Sequence, residues 1–346
     1  MKLSIALKFS TGLGGLEMDL VWEAERLGYE AVWTGEAYGT DAVTPIAWVL
    51  ARTSRIKAGT SIMQMPARTP AMTAMTAMTL QALSGNRFLC GIGPSGPQVV
   101  EGWHGVPFGK PQARTREYVA IIRQILAREA PLEHYGEHYQ VPYTGPGSTG
   151  LAKPLRSIIH ADPDLKIYTA AVSPAGLRTA GEVADGTLPY FMSPEKADAI
   201  VRPIVEGRER GGRSYRLTDF DLAPYVRVCM GDDLAACRDA LRPGLALYIG
   251  GMGARSRNYY NDLAKRLGYE AAAETIQEHF LAGHRREAAA AVPDALIDET
   301  SLVGSKHRIR DRLQAWQSLA DEHRVGSLVL VGAGVEELRT IAEAVL

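Results

Sequence analysis

Cysteine is scarce in this chain of 346 residues, which contains only Cys90, Cys229 and Cys237. An odd number of cysteines without the spacing of a known motif argues against a disulfide framework and against a zinc site. The pattern predicts buried, reduced thiols instead. Long apolar runs are missing too: no stretch approaches the roughly 20 apolar residues of a membrane-spanning helix, and the N-terminal run is too short for a signal peptide. We therefore expect a soluble, cytoplasmic protein with no membrane partner.

An excess of charge of one sign is also absent. The chain has 38 Lys and Arg against 39 Asp and Glu. It therefore offers neither the basic surface of a nucleic-acid-binding protein nor that of a polybasic membrane binder. Its length and its hydrophobic content of 46% are sufficient for one large core. These features predict an enzyme that acts on a small molecule, with no nucleic-acid partner.

What the sequence does contain is a regular alternation of short apolar runs with amphipathic helical segments. The predicted strands cover residues 3–9, 31–33, 56–63, 87–92, 166–171, 186–190, 223–230 and 325–331. The predicted helices cover residues 16–27, 45–51, 69–83, 114–127, 175–184, 194–207, 306–320 and 335–346. Eight such units predict an α/β fold of the (β/α)8 TIM-barrel type, with an open doubly wound sheet as the alternative. The glycines at residues 11–15 lack the spacing of a dinucleotide-binding turn.

Two segments interrupt this alternation. Residues 131–165 predict a small hairpin that turns at Gly136, followed by a loop rich in proline and glycine. Residues 231–300 are helical but too long for one crossover helix, with separate helical pieces at 257–267 and 271–291. We interpret both segments as insertions into a single barrel domain that spans residues 1–346. The second insertion is expected to shape the substrate site.

Catalytic residues of a barrel lie at the C-terminal ends of its strands and in the loops that follow. Glu36 follows the second strand and could serve as an acid, as a hydrogen-bond acceptor or only as a solvated loop residue. The Thr60 and Ser61 pair at the end of the third strand is unusually polar for an apolar strand, with hydroxyls whose hydrogen bonds are satisfied at the strand edge as the alternative. His104, after the fourth strand, could transfer protons near neutral pH, with a structural loop histidine as the alternative.

The helix after the fifth strand begins with signals of its own. Ser173 is a candidate N-cap, and Pro174 suits the first helical position. Free N–H groups at a helix start, together with the helix dipole, favour a phosphate, and Arg178 could add positive charge. An ordinary capped helix is the alternative. No cluster has metal-ligand spacing, because His134 and His138 lie in the predicted hairpin.

A repeat of Ala-Met-Thr at residues 71–79 places Met72, Met75 and Met78 in a slanted stripe on the third helix. A role near a cofactor is one interpretation of such a stripe. Packing in a core or at an interface is the favoured interpretation, because methionine fills irregular gaps.

Taken in order, several segments resemble the luciferase-like superfamily, in particular its coenzyme F420-dependent branch of methylene-tetrahydromethanopterin reductase-like enzymes. The matching segments are GYEAVW (28–33) with Glu36, IKAGTSI (56–62), LCGIG (89–93), EGWHG (101–105), YTAA (168–171), ADG (184–186), VPD (292–294) and VG (303–304). They extend over nearly the whole chain. Each motif alone is loose, whereas their shared order and spacing are fairly specific.

The resemblance implies a luciferase-like barrel that is often a homodimer and binds coenzyme F420, with FMN as the alternative. It implies a cis peptide at Ser61–Ile62 whose bulge backs the ring, with Glu36 near the redox end of the ring and Gly93 and Ser95 beneath its pyrimidine part. The phosphate tail would lie at a helix start that comprises Ala171, Val172, Ser173, Pro174, Ala175, Gly176 and Arg178. One departure is that several relatives carry an acid–His pair where this chain has Glu36 followed by alanine. Proton transfer must then come from Glu36, His104, the substrate or water.

The implied activity is hydride transfer between the deazaflavin ring and a C=C, C=N or C=O group or an alcohol of a small organic substrate. An FMN-dependent luciferase-like monooxygenase on the same barrel is one alternative. A non-catalytic protein that binds and sequesters a flavin is another, from a different functional class.

Overall fold

The computed structural model describes residues 1–7 and 15–346 of the chain. The first strand, Lys2–Ala6, agrees with the predicted strand over residues 3–9. Residues 8 and 9 of that prediction, and residues 11–14 of the glycine-containing turn, lie outside the described residues.

Most of the strands form one parallel sheet. Numbered along the chain, the strands are β1 (Lys2–Ala6), β2 (Ala31–Thr34), β3 (Lys57–Thr60), β4 (Met63–Gln64), β5 (Phe88–Gly93), β6 (His134–Tyr135), β7 (Gln140–Val141), β8 (Ile167–Thr169), β9 (Gly186–Thr187), β10 (Asp221–Leu222), β11 (Tyr225–Met230), β12 (Ser301–Gly304) and β13 (Ser327–Val331). From β1 the sheet continues through β2, β3, β5, β8 and β9 on one side and through β13 and β11 on the other. β6 and β7 form a separate antiparallel hairpin, as predicted.

The sheet closes into a barrel through β10 and β11, which are two halves of one stretch interrupted at Pro224. β10 pairs with β9, a further parallel bridge joins Tyr190 to Tyr225, and β11 pairs with β13. Proline has no N–H to donate, but the carbonyl of Pro224 still accepts from the N–H of Val329 at 2.9 Å. The predicted (β/α)8 TIM barrel is therefore confirmed, and the open-sheet alternative is wrong.

Helices follow the strands around the outside of the barrel and extend the segment after β11. They are α1 (Met18–Leu27), α2 (Val43–Ala51), α3 (Pro70–Ser84), α4 (Pro97–Gly102), α5 (Pro111–Ala127), α6 (Pro174–Val183), α7 (Asp198–Arg210), α8 (Leu234–Ala246), α9 (Tyr259–Arg266), α10 (Glu270–Leu281), α11 (Arg285–Ala290), α12 (Asp294–Thr300), α13 (Lys306–Asp321) and α14 (Val335–Val345). Short 3-10 turns occur at Met65–Ala67 and Pro194–Lys196, and a π-helical turn at Leu247–Gly251 continues α8.

Local sequence signals account for several helix ends. The N-cap hydroxyls of Thr69, Ser173 and Ser305 each accept a backbone N–H of the first turn of their helix. Gly28 ends α1 with φ of 89°, a left-handed conformation in which glycine carries no Cβ penalty. The predicted helix over 271–291 is instead two helices, because Gly283, with φ of 87°, lies in the break between them.

The main element that the sequence pattern missed is β12. It is a buried run of four residues that directly follows α12 and pairs with the C-terminal half of β11. It lies beside the closed ring rather than in it. Four residues are too few for an apolar run to be separated from the end of a helix by periodicity. The short helix α4 was not predicted either.

The core has two layers, one inside the barrel and one between the sheet and the helices. Trp33 and Tyr168 fill the interior and meet edge to face, with ring centroids 5.0 Å apart. The inside of the barrel is thus packed, and the C-terminal strand ends are where this fold places active sites.

The cysteines are unpaired, as the sequence predicted. Cys90 and Cys237 are buried, Cys229 is half-buried, and burial raises the pKa of the Cys90 thiol to about 12. Among the helices of the described residues, none combines the length and the apolar character that crossing a bilayer requires.

Candidate functional site

The centre of the barrel mouth is built around the junction of β3 and β4. The Ser61–Ile62 peptide there is cis, as the resemblance implied. Gly35, at the end of β2, packs directly beneath this junction: a Cβ on Gly35 would lie 2.3 Å from the Ser61 carbonyl oxygen. Only glycine can occupy position 35 without moving the backbone.

Ile62 turns its side chain into the barrel and joins the inner cluster. It covers Gly93 at the end of β5, where a Cβ would lie 2.9 Å from Ile62 Cδ1 and 3.6 Å from the Cβ of Ala170. The hydroxyl of Tyr225 donates to Ser61 Oγ from the opposite strand, and burial raises the pKa of Tyr225, so this hydroxyl keeps its proton. Ile62 therefore presents a fixed apolar surface at the mouth.

Glu36 is held by three hydrogen-bond donors. One carboxylate oxygen accepts from the backbone N–H of Gln64 at 2.7 Å and from Arg68 Nη1, and the other accepts from the N–H of Ala42 at 2.9 Å. Its side chain is only 8% exposed, against 20% for that of Arg68. This arrangement suits a carboxylate, which can only accept hydrogen bonds, and it ties the loop after β2 to the segment after β4.

Gln64 links Glu36 to His104. Its amide nitrogen donates to the backbone carbonyls of Glu36 and Ala37, at 3.0 and 2.9 Å. Those two acceptors fix the orientation of the amide, so its oxygen faces His104 Nε2 at 2.6 Å. Because an amide oxygen can only accept, His104 Nε2 must carry a proton, which leaves Nδ1 as the atom available for other chemistry.

The loop between β8 and α6 forms a cradle of backbone N–H groups. Ser173 uses its hydroxyl and its carbonyl to accept from the N–H groups of Gly176 and Leu177. The N–H groups of Ala171, Val172, Ser173 and Ala175 have no acceptor within residues 1–7 and 15–346. Such donors in and just before the first turn of α6, near the positive end of the helix dipole, suit a phosphate or another anion.

Two arginines lie near this cradle and have different partners. Arg178 donates to Glu206 of α7 at 2.6 Å, so its guanidinium is engaged in an ion pair between helices. Arg266, at the end of α9, donates to the carbonyl of Val172 at 2.8 Å and so places a positive charge against the loop itself. A role of Arg178 at the phosphate stays a prediction, and Arg266 is the arginine that the geometry brings to the loop.

A sequence profile of luciferase-like monooxygenases matches residues 16–323 of this chain. A Mycobacterium tuberculosis protein that is provisionally named a coenzyme F420-dependent oxidoreductase is 42% identical over 328 residues, which are 94% of this chain and 93% of that protein. The chain belongs to the luciferase-like monooxygenase family. The resemblance inferred from its motifs is therefore confirmed.

Other members of the family extend the comparison. A Methanopyrus kandleri 5,10-methylenetetrahydromethanopterin reductase is 28% identical over 313 residues, 85% of this chain and 83% of that protein. The solved structure of a coenzyme F420-dependent reductase from that organism superposes with a TM-score of 0.78 at 24% identity and covers 99% of this chain and 98% of that one. An F420-dependent secondary alcohol dehydrogenase, solved with an F420–acetone adduct, gives 0.73 at 15% identity, covering 99% and 98%. These structural likenesses show the fold.

The structure places most of the site residues predicted from the sequence at one end of the barrel. Ser61, Ile62 and Gly93 are in contact, and Glu36 and His104 are joined through Gln64. Ser95 lies in the loop after β5 with φ of 62°, a conformation that residues other than glycine seldom adopt.

Sequence reasoning missed three of the residues that organise the mouth. Gln64 and Arg68 follow the third barrel strand, so the rule about strand ends could have drawn attention to them. Arg266 is 94 residues away from Val172 along the chain, and no spacing in the sequence signals their contact. The exposed rings of Tyr38 and Trp103, 6.4 Å apart, were also not singled out.

Proposed function

We propose that this protein is a coenzyme F420-dependent oxidoreductase that transfers hydride between the deazaflavin ring and a C=C, C=N or C=O group, or an alcohol, of a small organic substrate. The observation that carries the proposal is the set of four N–H groups, those of Ala171, Val172, Ser173 and Ala175, that find no acceptor in the described part of the chain and lie at the same barrel end as the apolar surface of Ile62. The relative that is 42% identical and bears the name of an F420-dependent oxidoreductase supports the choice of cofactor.

The residues of the mouth fit the two ends of such a cofactor. The N–H groups of Ala171, Val172, Ser173 and Ala175 would bind its phosphate, with Arg266 adding positive charge. Ile62 would support the flat ring from inside the barrel. When bound, the deazaflavin supplies the two-electron hydride chemistry, and the protein supplies position and electrostatics.

Proton transfer to or from the substrate falls to His104 in this proposal. Gln64 holds the ring of His104 through Nε2, so Nδ1 is the atom that would exchange a proton. The carboxylate of Glu36 already accepts hydrogen bonds from Gln64, Arg68 and Ala42. It therefore holds these residues in position and is not the proton donor. This assignment explains how the chain could work without the acid–His pair that several relatives carry.

Substitutions at Ser173 test the phosphate site without destroying the helix. Aspartate and asparagine are both good N-caps, but only aspartate adds a negative charge at the cradle. We expect Ser173→Asp to weaken F420 binding by roughly tenfold or more, and Ser173→Asn to change it little. The measurement is the dissociation constant from equilibrium dialysis, and a deazaflavin that carries only the ribityl chain should bind both variants equally.

The same binding assay separates the alternatives. Tight binding of FMN with oxygen consumption, and no binding of F420, would identify an FMN-dependent monooxygenase instead. Binding of F420 with no turnover on any carbonyl, imine or alkene, and with ring reduction unaltered by substitution of Glu36 and His104, would identify a non-catalytic flavin-binding protein.

We further propose a cytoplasmic homodimer in which each chain is one barrel domain with insertions at residues 131–165 and 231–300. Met72 and Met75 on α3 and Trp48 on α2 are 53%, 57% and 50% exposed, although all three are apolar. Exposed apolar groups on neighbouring helices are typical of an interface. Light scattering after gel filtration should give twice the 37.5 kDa of one chain, and a Met75→Glu variant should be monomeric.

A further inference from the structure

Arg227 lies on β11, inside the barrel mouth. Along this stretch Tyr225 belongs to the inner cluster, whereas Val226 and Val228 pack outward against the helices. Because side chains alternate along a strand, Arg227 faces inward, about 6.6 Å nearer the C-terminal rim than Tyr225. Its partner on β13, Val331, also packs against the inner cluster.

The guanidinium of Arg227 lies between α8 and an aromatic wall. Its Cζ is 5.6 Å from the centroid of the Tyr248 ring, and a Cβ on Gly244 would lie 2.9 Å from its Nη1. Tyr190 stacks between Tyr225 and Tyr248, with centroid distances of 4.6 and 4.9 Å. A glycine at position 244 therefore makes room for a cation beside a stack of three tyrosine rings.

Among residues 1–7 and 15–346, this guanidinium has no hydrogen-bond or ion-pair partner. Its Nε is buried without a hydrogen-bond acceptor, and no carboxylate within residues 1–7 and 15–346 forms an ion pair with it. Residues 8–14 contain no aspartate or glutamate in the sequence. Other partly buried arginines do have partners, as Arg123 pairs with Asp185 and Arg178 with Glu206. A buried donor without an acceptor costs free energy, and an anion at this position would supply the missing hydrogen-bond acceptor.

We propose that Arg227 recognises the carboxylate of the substrate, and that the substrate is a planar, aromatic or conjugated carboxylic acid. The planar guanidinium matches a carboxylate with two parallel hydrogen bonds. The ring of Tyr248, 5.6 Å from the Arg227 guanidinium and held in place by its stacking on Tyr190, offers an apolar surface to the body of such a molecule. This inference rests on the proposed function, because it assigns the substrate class of the same barrel mouth.

Cinnamate and its neutral amide, cinnamamide, are suitable probes because they differ mainly in charge. Isothermal titration of the F420-loaded and the cofactor-free protein should show cinnamate binding more tightly than cinnamamide. Arg227→Met should weaken cinnamate binding by roughly tenfold to a hundredfold, the usual effect of losing hydrogen bonds to a charged group. Arg286→Met removes the same charge from the exposed α11 and should leave the affinity unchanged.

Gly244→Ala provides a second variant that keeps the charge. Its new methyl group must displace the Arg227 guanidinium, which lies at the end of a flexible side chain. We therefore expect weaker cinnamate binding with an unchanged thermal midpoint. This variant keeps the test decisive if Arg227→Met does not fold.

Each contrary result has its own meaning. Equal cinnamate affinity in the unaltered protein and Arg227→Met, equal affinity for the acid and the amide, or no cinnamate binding at all would overturn the inference. Weaker F420 binding in Arg227→Met, with unchanged binding of the deazaflavin that carries only the ribityl chain, would assign the arginine to the cofactor tail and also overturn it. Failure of the unaltered protein to bind F420 would instead overturn the proposed function. Cinnamate binding to the cofactor-free protein does not depend on F420, so it still tests the role of Arg227 in that case.

Discussion

Replacement of Glu36 by glutamine distinguishes an anchoring role from an acid role of this residue. The carboxylate accepts three hydrogen bonds, one of them from Arg68, and is 8% exposed. A glutamine amide keeps one accepting oxygen but presents its NH2 group to a donor, and it removes the carboxylate that pairs with Arg68. We therefore expect Glu36→Gln to lower the free energy of unfolding of the protein, and not only to slow a proton transfer.

The size of this effect follows from the contacts. Hydrogen bonds to charged groups contribute about 1.5–3 kcal/mol each, and breaking a buried ion pair costs about 3–5 kcal/mol. Since the amide oxygen keeps part of the network and Arg68 is partly exposed, we expect a loss of about 2–3 kcal/mol. With about 2.1 cal/mol/K of unfolding entropy per residue, 346 residues correspond to about 0.7 kcal/mol per degree, so the thermal midpoint should fall by about 3–4 °C.

The assay is thermal unfolding followed by circular dichroism at one scan rate. Glu137→Gln is the matched control, because Glu137 forms an exposed pair with Lys110 at 2.7 Å and should shift the midpoint by less than about 1 °C. An unchanged midpoint in Glu36→Gln, together with abolished proton transfer from the bound substrate, would refute the anchoring role and make Glu36 the acid.

Three further predictions concern other parts of the barrel. Nitrogen NMR of labelled histidine should find the neutral His104 ring protonated at Nε2, and an Nδ1–H form would contradict the orientation assigned to Gln64. Burial raises the pKa of Asp221 in the folded protein. The free energy of unfolding that its proton contributes is therefore complete below about pH 4, and it is lost as the pH rises through the folded-state pKa. Asp221→Asn should remove this pH dependence from unfolding curves, and identical pH profiles for the two proteins would contradict the prediction. Gly35→Ala should lower the thermal midpoint severely or prevent folding, because the new Cβ would collide with the Ser61 carbonyl. Gly39→Ala should not, because no other part of the described chain lies within 4 Å of its new Cβ. Equal midpoints of the two variants would contradict the close packing of Gly35 against Ser61.

The sequence was sufficient for the architecture because the architecture depends on local patterns. Alternating apolar runs and helical segments identify the barrel, and N-caps such as Ser173 are visible in the chain. The position of β12 was not predictable in this way, because a four-residue strand is stabilised by its pairing with β11 and not by its own periodicity.

The candidate site was predicted by position but not by contact. The strand-end rule and the family resemblance located Glu36, His104 and the loop at residues 171–176. They could not show that Gln64 stands between Glu36 and His104, because amide orientation depends on carbonyls brought together only by folding. For the same reason Arg178, whose guanidinium pairs with Glu206 of a neighbouring helix, was predicted from the sequence and Arg266 was not considered.

A crystal structure of the protein with coenzyme F420 bound would test the central claim most directly. We predict that the deazaflavin ring lies against Ile62 and that the phosphate oxygens of the cofactor lie within about 3.2 Å of the N–H groups of Ala171, Val172, Ser173 and Ala175. A cofactor bound elsewhere, or a phosphate that leaves those N–H groups unpaired, would contradict the account.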